Sequence, residues 1–426
     1  MKFNKIQVKN WGNFVDISLD CEDFLIFTGA SDTGKSSLMK AILSFFRVRN
    51  LREGDIRDSK FPLEMIGNFI EKTGEFQLKF LKKNAEEIRY FVRYSAEWQE
   101  ISEKEFQDFI QPISVFYIPS VLEESQMDYL FERVFQNEKL KAYHRFWEEY
   151  QEARKNRKSH GFYRHLFLRF LCKIATHEEK NNFWEHSILL WEEPEFYLNP
   201  QEERACYEKL LEHSRLGLQI IVSTNSSRFI DLEQYQSICI FRKKEEETRV
   251  YQYRGNLFSG DEVTEFNMNY WINPDRSELF FARKVILVEG QTDKIVLSYL
   301  AKKLGVYSYD TSIIECGSKS TIPQFIRLLN AFKIPYVVVY DKDNHLWRNP
   351  TEIFNSNQKN RSIQKMIYKK FGSYVEFEND IEEEIYNEDR ERKNYKNKPF
   401  YALETVMQEN YKIPKKLREK VYRIFE

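Results

Sequence analysis

Two aspartates, separated by a single residue, follow a run of β-branched residues in the segment VVVYDKDN at residues 337–344. The run predicts a buried strand. Alternate positions on a strand point to the same side, so we expect Asp341 and Asp343 to present their charges together. Two like charges near a buried strand end repel each other, and burying them without a counter-charge is costly. The segment therefore indicates a site for a cation.

A further carboxylate ends a second predicted strand, in the segment VILVEGQTD. Glu289 ends this strand, and Asp293 lies four residues further on. The carboxyl ends of strands in a parallel sheet form one common edge, so Glu289 is expected to converge there with Asp341 and Asp343. Carboxylates gathered in this way bind hard divalent cations. Either segment alone could be an ordinary solvated strand end, but the two in order, with one strand–helix unit between them, favour a metal site.

The segment GASDTGKS, which begins at Gly29, matches the pattern GxxxxGK[ST] completely. It follows the predicted strand FLIFT and opens a predicted helix, which is the context that this motif requires. Gly29 and Gly34 would let the backbone wrap around phosphate groups, which the loop amides and the helix N-terminus attract. Lys35 would contact the β- and γ-phosphates, Ser36 would hold Mg²⁺, and Ser37 would line the same loop. The segment predicts ATP binding.

Two adjacent glutamates end another apolar strand, in the segment SILLWEEPEFYLNP at residues 187–200. At a strand end beside a phosphate loop, Glu192 could bind the water shell of Mg²⁺, and Glu193 could orient or deprotonate the attacking water. Two glutamates alone are more often a solvated strand end. Behind a complete phosphate loop, the catalytic interpretation is the stronger one.

The elements that must position these residues form two strand–helix patterns. We place a boundary near the segment INPDRSE, where Asn-Pro-Asp interrupts the pattern, so the predicted domains are residues 1–275 and 276–426. A short helical insertion is predicted over about residues 121–158 of the first domain. Alternating strands and helices imply an α/β fold with parallel sheets.

Composition limits the class of protein. The chain has 426 residues, of which 42% are hydrophobic, and its 65 Lys and Arg nearly balance its 66 Asp and Glu. The net charge of −1 gives no nucleic-acid signal, so any basic groove must be local. The five cysteines are scattered without CxxC spacing, which argues against a disulfide framework and a zinc site. No apolar run has membrane-spanning length, so we expect a soluble, cytoplasmic protein without a membrane partner.

The pairing of GASDTGKS with LLWEEPEFYLNP resembles the ABC-type ATPase heads of the RecF, SMC and OLD groups. The form EEPExxLxP most resembles the OLD (overcoming lysogenisation defect) nucleases. This resemblance implies that Glu192 takes the Walker B position and that Glu193 is the catalytic glutamate. It also implies that Ser159 and Gly161, in SHGFY, form a signature segment that contacts the nucleotide of an opposite subunit. A homodimer or higher homo-oligomer through the ATPase heads is therefore expected.

One position departs from the family pattern. Asn225, in the segment IIVSTNSS, stands where the family usually has a histidine. An amide can donate a hydrogen bond to a γ-phosphate, but it cannot carry a proton as an imidazole does. We therefore expect ATP to bind and to be hydrolysed slowly.

The pattern of Glu289, Asp293 and the pair Asp341 and Asp343 resembles a Toprim domain, a Rossmann-like parallel sheet. The resemblance implies metal-assisted chemistry on phosphodiesters, with these four carboxylates as metal ligands. The resemblance to the OLD nucleases as a whole extends over nearly the whole chain and is weakest in residues 47–158.

Two later segments match the same family less specifically. In YVEFENDIEEEI, Asp380 and Glu382 are the best candidates for late metal ligands, although a solvated helix start explains them nearly as well. In NYKNKPFYAL, the resemblance implies that Lys398 is a catalytic lysine that neutralises developing phosphate charge, with Lys396 as a close rival.

These features predict an ATP-regulated, metal-dependent DNA endonuclease, in which two Mg²⁺ ions, or Mn²⁺ in their place, activate water and stabilise the leaving oxygen. Such enzymes in bacteria commonly act against phage, sometimes with a second defence component, and this inference is one of association. The alternatives are an ATP-switched sensor or scaffold, and a RecF- or SMC-like DNA-binding ATPase without nuclease activity.

Overall fold

The computed structural model describes residues 1–83, 88–120, 144–175, 186–258, 274–345, 348–386 and 397–426. The chain divides into two compact units, Met1–Gln252 and Tyr253–Glu426. The domain boundary expected at residues 275 and 276 stays a prediction. So does the helical insertion over about residues 121–158, most of which lies outside the described residues.

An antiparallel sheet forms one layer of the first unit, with its six strands in the order β2-β1-β4-β5-β6-β7. Burial alternates along β4, where Leu63, Met65 and Phe69 are buried and their neighbours are partly exposed. One face of the sheet therefore packs on the core. The strands are β1 (Lys2–Trp11), β2 (Phe14–Asp20), β4 (Leu63–Glu71), β5 (Gly74–Lys82), β6 (Arg89–Arg93) and β7 (Gln99–Ile101).

A second sheet of six strands has the order β12-β11-β3-β10-β9-β8. All neighbours in it are parallel except β11 and β12, which form an antiparallel hairpin. Every residue of β3, β9 and β10 is buried, because the faces of a parallel sheet are covered on both sides. The strands are β3 (Phe24–Thr28), β8 (Ser114–Ile118), β9 (Ser187–Glu192), β10 (Gln219–Ser223), β11 (Ile238–Lys244) and β12 (Glu247–Gln252).

One apolar cluster contains side chains from both sheets and from helix α1. Seven apolar or small residues of this helix are buried, which is the pattern of a helix enclosed within a core. The described helices of this unit are α1 (Lys35–Phe45), α2 (Glu103–Ile110), α3 (His144–Lys155), α4 (His160–Ala175) and α5 (Pro200–Arg215), with short 3₁₀ turns at Glu53–Asp55, Ser227–Phe229 and Leu232–Ser237.

The start of α5 is fixed by its sequence. Asn199 precedes the helix, and its side-chain oxygen accepts hydrogen bonds from the backbone N–H groups of Gln201 and Glu202, both at 3.0 Å. Glu202 returns a hydrogen bond to the backbone of Asn199 at 2.9 Å, which completes a capping box. This cap fixes where the segment that follows Glu192 and Glu193 becomes helical.

The second unit contains a parallel sheet of four strands in the order β14-β13-β15-β16. The strands are β13 (Lys284–Val288), β14 (Thr311–Glu315), β15 (Tyr336–Asp341) and β16 (Gly372–Phe377). The helices are α6 (Gln291–Lys303), α7 (Ile322–Ala331), α8 (Pro350–Met366), α9 (Ile381–Tyr386), α10 (Lys398–Met407) and α11 (Lys415–Phe425), with a 3₁₀ helix at Pro274–Phe280. The predicted α/β class is confirmed in both units.

Among the described helices, none combines the length and the apolar character needed to cross a membrane.

Candidate nucleotide and metal sites

The phosphate loop joins β3 to α1, and its two glycines are required by its shape. Gly29 has φ of 137°, and a Cβ atom there would collide with the carbonyl oxygen of Phe241. Gly34 has φ of 95° immediately before α1, and a Cβ atom there would lie 2.9 Å from Phe14 Cζ. Both values of φ lie in the region that glycine adopts without strain. The loop therefore brings backbone amides and the N-terminus of α1 to one place.

A cleft of about 420 Å³ opens at this loop. Six of the predicted ATP-site residues, from the loop and from the ends of β9 and β10, share it: Gly34, Lys35, Ser36, Ser37, Glu193 and Asn225. The other residues that line it are Asn13, Ser31, Asp32, Thr33, Lys40, Arg49, Asp55 and Ser223. The size and lining of this cleft suit the phosphate groups of a nucleotide.

The side chain of Lys35 is held by backbone carbonyl groups of the same loop. Its Nζ donates hydrogen bonds to the carbonyl oxygens of Gly29 at 2.7 Å and Ala30 at 3.0 Å. Burial lowers the pKa of Lys35, although Glu193 and Glu195 act to raise it. Because burial penalises the charged ammonium, an anionic ligand in the cleft would stabilise it.

Glu193 and Asn225 contact each other at the ends of neighbouring strands. Asn225 Nδ2 donates to Glu193 Oε1 at 2.9 Å, and the backbone N–H of Glu193 donates to the carbonyl oxygen of Ser223 at 2.7 Å. Glu193 has φ of 46°, so the chain turns sharply out of β9 at this residue. The amide thus holds the carboxylate in a fixed position in the cleft, where a general base for water would be needed.

Glu192 is buried at the end of β9, with 5% of its surface exposed. Its Oε2 accepts a 3.4 Å hydrogen bond from the backbone of Ser120, and its Oε1 has no hydrogen-bond partner among the described residues. A buried carboxylate oxygen without a donor is costly. A hydrated Mg²⁺ would satisfy it, so the residues here fit the ion that accompanies ATP.

Two residues that sequence reasoning missed support this region. Arg164, on α4, is 1% exposed and donates to the carbonyl oxygens of Glu193, Pro119 and Ser120. Glu195 accepts a 2.8 Å hydrogen bond from the backbone of Asn225, and burial raises its pKa. The segment GFYRHLFLRFLCKIA also contains His165, Arg169 and Lys173, so no sequence signal distinguishes Arg164 from these other basic residues.

The two predicted signature residues lie apart from the cleft. Ser159 is exposed just before α4, and its hydroxyl accepts a 3.4 Å hydrogen bond from the backbone of Phe162. A Cβ atom on Gly161 would lie 3.3 Å from Tyr197 Cβ. Neither residue lines the cleft of its own chain, and their contact with an opposite subunit stays a prediction.

In the second unit, the carboxyl ends of β13 and β15 meet as the sequence suggested. Glu289 directly follows β13, and the backbone N–H of Asp341, the last residue of β15, donates to Glu289 Oε1 at 2.8 Å. Asp343 lies beyond the strand, with φ of 62°. The expectation that Asp341 and Asp343 follow strand alternation is therefore wrong, because the strand ends before the second aspartate.

Four other carboxylates act electrostatically on Asp341. Burial raises the pKa of Asp341 well above its ordinary range, and Asp293, Glu289, Asp380 and Glu382 raise it further. Burial also raises the pKa of Asp293 to about 7, although the backbone N–H of Gly290 donates to this carboxylate at 3.1 Å. The strand ends and helices of this unit thus concentrate negative charge around Asp341. We call this group, which comprises Glu289, Asp293, Asp341, Asp380 and Glu382, the acidic cluster.

The acidic cluster fits a hard divalent cation by its chemistry, since all its donors are carboxylate oxygens. In the part of the chain that the structure describes, however, no three acidic, histidine or cysteine side chains already stand around a common point that could hold an ion. Metal binding would therefore require some of these side chains to rotate.

Lys398, at the start of α10, lies beside the acidic cluster. Its Nζ is 3.2 Å from Glu382 Oε1. Burial acts to lower the pKa of Lys398, but Glu382, Asp380 and Asp341 outweigh this effect and raise it. The structure thus places Lys398 with both late acidic residues, whereas its rival at position 396 lies outside the described residues.

Asp343 has different partners from Asp341. Its Oδ2 accepts hydrogen bonds from Lys319 Nζ at 2.6 Å and Ser356 Oγ at 2.8 Å, and its Oδ1 lies 2.9 Å from Arg348 Nη2. Burial acts to raise the pKa of Asp343, but these partners outweigh it and lower the pKa. The charge of Asp343 is therefore compensated within the chain. Sequence reasoning missed Lys319, although its segment GSKS follows β14 at the same edge of the sheet.

Two family models match this chain. The model "Overcoming lysogenization defect protein-like, TOPRIM domain" matches residues 280–343. The model "AAA ATPase domain" matches residues 1–156. The first match contains Glu289, Asp293, Asp341 and Asp343, and the second contains the phosphate loop.

The chain is similar to two proteins named as OLD nucleases. It is 32% identical over 158 residues to the one from Thermus scotoductus, covering 36% of this chain and 30% of that protein. It is 25% identical over 226 residues to the one from Escherichia phage P2, covering 50% of this chain and 37% of that protein. The matched regions are thus about a third of the length of these relatives.

Among solved structures, the SMC head domain from Thermotoga maritima is 13% identical, with a TM-score of 0.41, and the likeness covers 60% of this chain and 100% of that one. The family models and the OLD nuclease relatives agree with the two sites described above. The family models show an AAA ATPase domain followed by an OLD-like Toprim domain, and together with the two similar OLD nucleases they support an ATPase–Toprim fusion of OLD type.

Proposed function

We propose that this chain is an ATP-binding, divalent-metal-dependent DNA endonuclease of OLD type, in which the ATP state regulates cleavage by the Toprim domain. The observation that carries this proposal is the acidic cluster. Asp341 lies among four other carboxylates, and Lys398 stands beside them. A fold gains no stability from such an accumulation of like charge, so a cationic ligand is its best explanation.

The residues of the acidic cluster would hold Mg²⁺ or Mn²⁺. A divalent ion bound there supplies Lewis-acid chemistry, since it polarises a phosphate and lowers the pKa of water. Lys398 has its ammonium group 3.2 Å from Glu382, where it can contact a phosphate oxygen that approaches the cluster. Its fixed positive charge would stabilise the negative charge that develops during phosphodiester hydrolysis.

The ATPase unit would act mainly as a switch. Lys35, Ser36 and Ser37 would bind the phosphates and their Mg²⁺, with Glu192 at the water shell of the ion. Glu193 would act on the attacking water, held by the amide of Asn225. Because this amide cannot carry a proton, ATP hydrolysis should be slow, and the ATP-bound state should persist. Contacts of Ser159 and Gly161 with the nucleotide of a second copy would make that state a dimer of heads.

Nicking of supercoiled plasmid DNA tests the nuclease proposal. The wild-type chain should nick with Mg²⁺ or Mn²⁺ and not in EDTA. Asp341→Ala should lower the rate by a factor on the order of 100 or more, the scale at which removal of a charge-stabilising catalytic group acts. ATP binding should be unaffected, since the phosphate loop belongs to the other unit.

Glu378→Ala is the matched control for this experiment. The side chain of Glu378 is 69% exposed and pairs with Lys342, so its charge is solvated and the variant should nick at the wild-type rate. Normal nicking by Asp341→Ala would show that the cluster is not the cutting site.

Glu193→Gln tests regulation by ATP. Without a carboxylate at this position, the chain should bind ATP and hydrolyse it at least ten times more slowly, which corresponds to about 1.4 kcal/mol of barrier. The variant should accumulate as an ATP-bound dimer, which light scattering measures directly. Plasmid nicking by this dimer should differ from nicking by the nucleotide-free chain. Equal nicking rates in the ATP-bound and nucleotide-free states would contradict regulation by ATP.

A second candidate function is an ATP-switched sensor or scaffold, or a DNA-binding ATPase without nuclease activity. The observation that favours it is that no three side chains of the described residues yet surround an ion position. DNA binding that depends on ATP, with no nicking in Mg²⁺ or Mn²⁺, would support this candidate over the nuclease.

The cellular role we propose is defence of a bacterium against phage, with or without a second protein component. This role is supported by the similarity of the chain to the two OLD nucleases named above. Plaque counts on cells that express the wild-type chain or Asp341→Ala test it. Protection that needs Asp341 would support the role, and equal plaque counts would contradict it.

A further inference from the structure

Lys319 lies in the loop between β14 and α7, and the local sequence fixes its position. Gly317 has φ of 85°, which turns the chain out of β14. The oxygen of the buried Thr321 hydroxyl lies 2.7 Å from the carbonyl oxygen of Cys316 and 2.8 Å from that of Ser318, and its single O–H is shared between them. These contacts close a tight turn around Lys319, so its side chain starts from a rigid backbone.

The ammonium group of Lys319 is buried at the edge of the sheet, with 7% of its side chain exposed. It donates hydrogen bonds to the carbonyl oxygen of Asp341, to Asp343 Oδ2 at 2.6 Å and to Ser356 Oγ at 2.9 Å. It also lies 3.5 Å from Glu289 Oε1. An ammonium group has three N–H donors, and these account for the three hydrogen bonds, while Glu289 is a further ion-pair partner.

The partners of Lys319 are those that a divalent ion would use at this edge. Glu289 and Asp343 supply carboxylate oxygens, and Asp341 supplies a carbonyl oxygen. Arg348 lies 2.9 Å from the remaining oxygen of Asp343, so a second positive charge faces the same carboxylate. An ion entering between Glu289 and Asp343 would meet both cations, which would repel it.

We propose that Lys319 is a built-in cation that takes the place of one divalent ion, so that the Toprim centre binds a single ion, on the side of Asp341 and Asp293. This inference rests on the proposed metal-dependent function and goes beyond it, since it fixes the number of ions and the role of Asp343. Asp343 is then an anchor for Lys319 and Arg348 and not a metal ligand. Lys319 itself is a positioning residue, because it holds Glu289 and the end of β15 in place.

Counting bound Mn²⁺ on the full chain tests this proposal. The count uses equilibrium dialysis with electron paramagnetic resonance, without nucleotide, so that the phosphate loop recruits no ion. The wild-type chain should bind one Mn²⁺, Asp341→Ala should bind none, and Lys319→Met should bind two. Lys319→Arg, which keeps the charge, should bind one.

Lys342→Met is the matched control. Lys342 lies between the two aspartates in sequence, but its Nζ pairs with Glu376 at 2.9 Å and Glu378 at 3.1 Å. Its removal should leave the count at one. Thermal melting supplies a second measurement: Lys319→Met should melt lower than wild type in EDTA and gain more than wild type from Mn²⁺, whereas Lys342→Met should follow wild type in its response to Mn²⁺.

Each result separates the inference from the function on which it rests. Two ions on the wild-type chain would overturn the role of Lys319 and leave the metal-dependent nuclease standing. No ion on the wild-type chain would overturn both. A count of one on folded Lys319→Met would also overturn the inference, because the vacated position should then accept an ion. If Lys319→Met does not fold, the wild-type and Lys319→Arg counts still decide.

Discussion

The second unit has an acidic edge, by which we mean the acidic cluster together with Asp343. This edge and the phosphate loop of the first unit each lie at the carboxyl ends of parallel strands in their own sheets, yet they attract opposite charges. The phosphate loop attracts anions with backbone amides, one lysine and a helix N-terminus. The acidic edge attracts cations with carboxylates that come from two strand ends, α6 and the segment around α9. The first site is set by the conformation of one short segment, and the second by tertiary packing of several.

This difference also appears in how each site compensates its charge. Lys35 is paired with carbonyl oxygens of its own loop. At the acidic edge, Asp343 is neutralised by Lys319 and Arg348, whereas Asp341 faces other carboxylates. Two aspartates of almost identical sequence context therefore have opposite electrostatic environments.

The largest expected effect comes from exchanging these two aspartates for asparagine. Asp343→Asn should destabilise the metal-free protein by on the order of 3 kcal/mol, because Lys319 and Arg348 would lose their buried partner. Asp341→Asn should leave the stability unchanged or raise it, since it removes repulsion. Urea unfolding in EDTA measures both. Equal destabilisation by the two variants would show that the acidic edge carries no uncompensated charge.

A smaller effect is expected at the phosphate loop. Lys35→Ala should weaken ATP binding roughly 10- to 100-fold, from the loss of about 1.5–3 kcal/mol of hydrogen bonding to a charged group. The fold should persist, because the two hydrogen bonds lost with Lys35 lie within the loop itself. Lys40→Ala is the control: Lys40 lines the same cleft but is exposed, so its removal should matter less. Fluorescent ATP titration measures both, and equal losses would contradict the special position of Lys35.

The pH dependence of metal-free stability should come next in size. The pKa of Asp293 is raised to about 7 by burial, above the value of about 3.9 for an unfolded aspartate. The folded chain therefore binds this proton more tightly, so stability should fall as the pH rises from about 4 to about 7, by up to about 1.4 kcal/mol per pH unit. Urea unfolding in EDTA should show a shallower fall for Asp293→Asn. If the free energy of unfolding falls with pH at the same slope in the wild type and in Asp293→Asn, the pKa of Asp293 is not raised in the folded chain.

The smallest effect is expected at Asn225. Asn225→His should leave ATP hydrolysis unchanged or raise it by less than about tenfold, since an imidazole can still donate to Glu193 and can also carry a proton. Asn225→Ala should lower hydrolysis, because it removes the 2.9 Å hydrogen bond to that carboxylate. Steady-state phosphate release measures both variants. Turnover of many ATP per second by the wild-type chain would contradict the switch interpretation.

The phosphate loop could be predicted almost completely, because its chemistry lies within eight residues whose φ angles require glycine at fixed places. The convergence of Glu289 and Asp341 was also predictable, since strand ends in a parallel sheet share an edge. The conformation of Asp343 was not, because nothing in VVVYDKDN shows that the strand ends after the first aspartate. Lys319 and Arg348 were missed for a related reason: their contacts with Asp343 join distant parts of the chain.

The candidate residues near the end of the chain show what resemblance to a family leaves undecided. Asp380, Glu382 and Lys398 were selected from acidic and basic runs that contain several equivalent candidates. Packing of α9 against α10, with Lys398 Nζ 3.2 Å from Glu382, distinguishes Glu382 and Lys398 from their neighbours. Sequence spacing alone carries no information on such a contact.

The contact between Lys319 and Asp343 also has a consequence for biosynthesis. Because the chain supplies part of its own positive charge, a newly made molecule can close this edge of the sheet before it captures an ion. For the metal-dependent nuclease that we propose, folding and activation would then be separate events, and a cell could accumulate the folded chain under metal starvation. Purification in a chelator should yield the same folded protein, ready to be switched on by adding the ion.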